Sequence, residues 1–129
     1  MHRKRKVLII DNEAEIAGWL KKMLEKEGYS ADLSTDGLEG LQKAKKEKPD
    51  LVILELTLPG LDGYRVSAFI KRHKNLKETK ILAISSSVTP DAQNLMEEAG
   101  IDLFMQKEKD KQKFLEKLAL LYPQGSLTA

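Results

Sequence analysis

The stretch DLVILELTLPGLDG (50–63) constrains the fold more than any other part of the chain. Leu51, Val52, Ile53 and Leu54 leave no polar face, so the run reads as a strand buried on both sides. Glu55 follows at once, with Leu56 beyond it. A carboxylate at the end of a buried strand is costly unless it is paired or opens on a cleft. Glu55 therefore marks where a site is expected, paired and half solvated.

Four further segments read as strands: KVLII (6–10), the alternating YSADLST (29–35), KILAIS (80–85) and DLFMQK (102–107). A helical pattern follows each strand. Ile16, Trp19, Leu20, Met23 and Leu24 recur at helical spacing after the first, and Leu38, Leu41 and Ala44 after the second. GYRVSAFIKRHK (63–74), DAQNLMEEAG (91–100) and DKQKFLEKLALLY (110–122) complete the set. Strands alternating with helices predict βα units and a parallel sheet, with the alternating segment 29–35 at an edge. Asn12 with Glu15 predicts a capping-box start, Asp36 an N-cap, Thr89 with Pro90 an N-cap and first turn, and Gly28 a helix stop.

The 129 residues predict one domain over 1–122, a frayed polar tail over 123–129 and no output domain after the last helix. With 33% charged and 41% hydrophobic residues the composition is that of an ordinary globular protein. A net charge of +2 is too small to argue for a nucleic-acid or membrane-surface partner. The absence of Cys removes disulfides, thiol chemistry and Cys-based metal sites. His2 and His73, far apart in sequence, do not make a metal site. No apolar run is long enough for a membrane span or a signal peptide, so a cytoplasmic location is expected.

In an open parallel sheet, ligands bind beyond the carboxyl ends of the strands, where the strand order reverses. The residues expected there are Asp11, Asn12 and Glu13 after the first strand, Glu55 after the third, Ser85, Ser86 and Ser87 after the fourth, and Lys107 after the fifth. Acids, hydroxyls and an amine on one rim form a candidate site. VLIIDNE, PDLVILELTLPGLDG, ILAISS and AGIDLFMQK together resemble the receiver domains of two-component response regulators, over residues 5 to about 121. The spacings agree, with Ser85 30 positions after Glu55 and Lys107 22 after Ser85.

The resemblance implies a flavodoxin-like (βα)5 sandwich with strand order 2-1-3-4-5. In that family the acids hold Mg²⁺, an Asp on the third strand takes a phosphoryl group from a kinase phosphohistidine, and the hydroxyl and Lys bond the phosphoryl oxygens. The matching positions here are Asp11 and Asn12 for the acidic pair, Glu55 for the phosphoacceptor, Ser85 for the hydroxyl and Lys107 for the Lys. Phe104 falls on the switch aromatic, read first as packing; Ser86 lines the rim, and Thr57 lies where the family varies its dephosphorylation rate.

Three positions depart from the family pattern. Glu55 is longer than Asp by one C–C bond, roughly 1.5 Å, and a misplacement of about 1 Å can cost ~10²-fold in rate. It carries one negative charge against about two for a phosphoryl group, so it is a partial mimic at best, expected to bond Ser85 and pair with Lys107. Asn12 brings an amide where Mg²⁺ prefers a carboxylate, so the expectation is no cofactor or a weakly held Mg²⁺ on Asp11, Asn12 and Glu55. Glu13 is placed to compensate for Asn12, but is read first as a solvent-facing first-turn acid favoured by the helix dipole. Glu108 stands where the family has Pro, which predicts a trans bond after Lys107.

The resulting expectation is a stand-alone, atypical receiver that is not an enzyme and works by protein–protein contact. Its partner would be a sensor histidine kinase or other signalling protein, met through the fourth helix, fifth strand and fifth helix, with the domain a monomer or weak homodimer. The alternative is a receiver that still takes a phosphoryl group on Glu55 or Asp62. A small cofactor binder or enzyme is disfavoured by DNEAE (11–15), which repels phosphate where such a site needs a Gly- or Ser/Thr-rich loop.

Overall fold

The computed structural model describes residues 3–122. The expected tail over 123–129 and His2 lie outside these residues. Five strands and five helices alternate: β1 (Lys6–Ile10), α1 (Ala14–Lys26), β2 (Ser30–Ser34), α2 (Gly37–Glu47), β3 (Leu51–Glu55), α3 (Gly63–Arg72), β4 (Lys80–Ser85), α4 (Ala92–Ala99), β5 (Leu103–Gln106) and α5 (Lys111–Leu121). The sheet is parallel throughout, in the order β2-β1-β3-β4-β5, the flavodoxin-like arrangement that was expected.

Alternation along the strands builds two cores. Val7, Ile9, Ile53 and Leu82 face α1 and α5, where Leu20, Leu24 and Phe114 are buried, and Trp19 packs at a tilt on Phe114 with ring centroids 5.9 Å apart. Leu8, Ile10, Val52 and Leu54 face α2 and α3, where Leu41, Val66 and Ile70 are buried. Every residue of β3 is buried, as its uninterrupted apolar run predicts, while β2 is a half-buried edge.

Two expected helix starts are corrected. Asn12 and Glu15 form no capping box: α1 begins at Ala14, its N-cap is Glu13, and no side chain caps it. The Glu13 N–H instead donates to Asp11 Oδ1 at 2.9 Å, because Asp11 already sits at the strand end with an oxygen facing that amide. Thr89 does not cap α4, which starts at Ala92, while the Thr89 hydroxyl donates to the Asp91 carboxylate. Asp36 caps α2 as expected, accepting from the Glu39 N–H at 2.7 Å. Gly28 follows the C-cap of α1 with φ +94°, a left-handed angle that suits glycine. No described peptide bond is cis, so Lys107–Glu108 is trans as expected.

Candidate functional site: three carboxylates around one ammonium

The register of the sheet places the site. Ile10 pairs with Leu54, so the next residues, Asp11 and Glu55, stand side by side where the order reverses between β1 and β3. Ser85 pairs with Gln106, and the Lys107 N–H donates to Ser85 O at 2.9 Å, which carries Lys107 to the same rim. The loop after β3 is held tightly. The Gly63 N–H donates to Leu56 O at 3.0 Å, and a Cβ on Gly63 would lie 2.4 Å from Glu55 O. Only glycine allows α3 to start this close to the end of β3.

Lys107 Nζ is the centre of the cluster. It donates to Asp11 Oδ1 at 2.9 Å, to Glu13 Oε1 at 2.7 Å and to Glu55 Oε1 at 2.7 Å. The Lys107 side chain is 4% exposed, those of Asp11 and Glu55 0% and 5%, and that of Glu13 62%. Glu55 is thus buried, and the half-solvated position expected for it is corrected: the rim closes over it through Lys107. Its second oxygen, Oε2, accepts the Thr57 N–H at 2.9 Å. Asp11 Oδ2 is 2.8 Å from Lys107 Nζ but off the hydrogen-bonding axis, and this buried atom accepts no hydrogen bond.

Electrostatics follow from this crowding. Burial pushes the Asp11 carboxyl above the usual range, and the Glu55 charge pushes the same way; Lys107 and the Glu13 N–H offset part of the rise. Burial works against the Lys107 ammonium, but three carboxylates outweigh it and hold the amine above its ordinary value. The two directions are compatible, since one cation is shared among three acids while the amine draws on all three.

The remaining expected site residues are less closely joined. Ser85 is buried, but its hydroxyl donates to Ser87 O at 2.7 Å, so the expected bond to Glu55 is not formed. A carbonyl two residues on satisfies the hydroxyl locally. Ser86 is exposed, and Thr57 enters only through its backbone. Asn12 is exposed. Phe104 is half-buried and lines a groove of about 200 Å³ with Ser85, Ser86, Ser87, Val88 and Gln106. Asp62 caps α3 through the Arg65 N–H at 3.0 Å.

Sequence reasoning placed Glu13 on the rim but read its side chain as facing solvent; whether it turns out along the helix or back to the cluster depends on Lys107, a partner 94 residues away.

The family model described as response regulator receiver domain matches residues 7–119. The alkaline phosphatase synthesis transcriptional regulatory protein PhoP of Bacillus subtilis is 41% identical over 70 residues, covering 54% of this chain and 29% of PhoP. The chain thus spans under a third of that relative's length. The chemotaxis protein CheY4 of Vibrio cholerae superposes with TM-score 0.86 at 24% identity, over 92% of this chain and 98% of that one. The receiver domain of a sensor histidine kinase from Pseudomonas aeruginosa PAO1, with a magnesium ion coordinated in its active site cleft, superposes with TM-score 0.82 at 22% identity, over 92% and 97%. At these identities the two superpositions speak for the fold.

Proposed function

The chain belongs to the response regulator receiver domain family, and we propose that it serves two-component signalling as a binding module in which Glu55 is a fixed negative charge and not a phosphoacceptor. The observation that carries this is the engagement of both Glu55 oxygens, Oε1 by Lys107 Nζ at 2.7 Å and Oε2 by the Thr57 N–H at 2.9 Å. A nucleophile must present its attacking oxygen in line with the phosphorus. One hydrogen bond on each oxygen fixes the orientation of the Glu55 carboxylate, on a side chain about 1.5 Å longer than Asp.

The donor set suits a divalent cation. Hard carboxylate oxygens are what Mg²⁺ takes, and the orphaned Asp11 Oδ2 is an acceptor with capacity to spare. Asp11 and Glu55 would hold the ion, which when bound would neutralise charge on an incoming phosphoryl group. With a neutral Asn12, and with Lys107 already bonded to the same acids, binding is weak. The charge on Glu55 mimics part of the phosphorylated state by holding Lys107 in place.

Residues 7–119, the span of the family match, act as one receiver unit in the cytoplasm. No described helix is long and apolar enough to cross a membrane. The partner is a histidine kinase or another phosphorelay protein. The face of α4, β5 and α5 supports this, because Leu95 of α4 is 36% exposed and Val88, just before α4 and 50% exposed, lines the Phe104 groove.

Acetyl phosphate with Mg²⁺, followed by intact-mass measurement, tests the reading. The expected spectrum shows the unmodified mass alone, and the gain of one phosphoryl mass overturns it in favour of a cycling receiver.

A further inference from the structure

Of the three carboxylates on Lys107, Glu13 is the odd one. Its side chain is 62% exposed, yet Oε1 turns back to within 2.7 Å of an ammonium that is itself 4% exposed. Asp11, Glu13 and Glu55 each offer an oxygen, all within 4.8 Å of one another. Oxygens opposite each other on Mg²⁺ stand about 4.1 Å apart, from bonds of 2.0–2.1 Å, so the trio is gathered at the scale of one ion. Three carboxylates against one ammonium leave an excess of two negative charges. Asp11 Oδ2, buried and without a hydrogen bond, points into this cluster. Asn12 adds no charge and is exposed.

We infer that Glu13 is the third carboxylate of the divalent-cation site, supplying the charge that Asn12 lacks, and that the Lys107 ammonium competes with the ion for the same oxygens. This rests on reading the cluster as a cation site, and it holds whether or not Glu55 accepts a phosphoryl group. The solvent-facing position of Glu13 makes it the acid an entering ion meets first. Glu13 can leave Lys107 for water because its own side chain is exposed and Asp11 and Glu55 still neutralise the buried ammonium.

The test is Mn²⁺ binding to the full chain at fixed ionic strength, read as free Mn²⁺ by electron paramagnetic resonance. Glu13→Gln is expected to weaken binding at least about tenfold, since a charge in contact with the ion is lost. Glu15→Gln, the same charge change two positions on, is expected to stay within about twofold. Lys107→Met is expected to bind at least about tenfold tighter, and Glu13→Gln must weaken binding in that background too. Equal affinities for wild type and Glu13→Gln, or equal losses in Glu13→Gln and Glu15→Gln, overturn the assignment of Glu13. An unchanged affinity in Lys107→Met overturns the competition, and no Mn²⁺ binding in either background overturns the site. Glu13→Gln changes an exposed side chain, so folding does not confound it. A phosphoryl mass gain alongside a Glu13-dependent affinity would sink the fixed-charge reading of Glu55 and leave this inference standing.

Discussion

Lys107 and Glu55 are joined at 2.7 Å with side chains 4% and 5% exposed, at the end of β3, every residue of which is buried. Neither charge could occupy that position alone. Removing an ion from water costs several kcal/mol even after relaxation, so each side chain is present on condition of the other.

Lys107→Met should therefore be the most damaging change in the site. It would leave Asp11 and Glu55 buried, adjacent and without a counter-ion. Breaking a buried pair by removing one partner costs about 3–5 kcal/mol. Urea unfolding at neutral pH should show a loss in that range, and a midpoint within error of wild type would mean the acids are hydrated and not dependent on Lys107.

Asp11→Asn should act in the opposite direction. Burial raises the Asp11 pKa above its ordinary 3.8 in the folded chain, so the folded state binds a proton more readily than the unfolded one. Stability then falls as pH rises from 3.8 through the raised value, and at pH 7 the ionised group costs stability in full. The amide keeps an oxygen for the Glu13 N–H and relieves repulsion with Glu55. A gain of about 0.5–2 kcal/mol at pH 7, typical of relaxing a strained functional site, should shrink towards zero below pH 3.8. A variant equally stabilised at both ends of a pH series of thermal melts would rule out this origin.

Gly63→Ala should show how tightly the loop after β3 is set. The new Cβ would lie 2.4 Å from Glu55 O and 2.7 Å from Leu56 Cα, both backbone atoms with no rotamer to change. Overpacking of this kind costs about 1–3 kcal/mol. Amide chemical shifts should move most at Glu55, Leu56 and Thr57, and shifts confined to α3 would show that the helix yields and the site does not.

The sheet was legible because burial on both faces leaves few ways to write β3, and because each strand is followed by helical spacing. The rim was legible as positions: Asp11, Glu55, Ser85 and Lys107 stand at the strand ends where the order placed them. Side-chain partners were not. Ser85 turned to Ser87 O and Glu13 turned to Lys107. Each choice is set by distances among groups far apart in sequence, which spacing alone does not encode. The burial of Glu55 was hidden for the same reason, since Lys107, 52 residues on, is what covers it.

Restoring the family pattern should restore chemistry. Glu55→Asp withdraws the carboxylate by about 1.5 Å, which lengthens the bond to Lys107 and frees an oxygen. Asn12→Asp returns a carboxylate to the position after Asp11, where Mg²⁺ prefers one. The double variant, treated with acetyl phosphate and Mg²⁺, should gain one phosphoryl mass that hydroxylamine removes, as for an acyl phosphate. Glu55→Asp alone should gain it more slowly, by about 10-fold or more, because the ion that neutralises the transferred group is held less well. If the double variant stays unmodified while still binding Mn²⁺, the defect lies beyond acid length and metal charge. The Ser85 hydroxyl, committed to Ser87 O at 2.7 Å, would then be the group out of position, because it would have to turn before it could bond a phosphoryl oxygen.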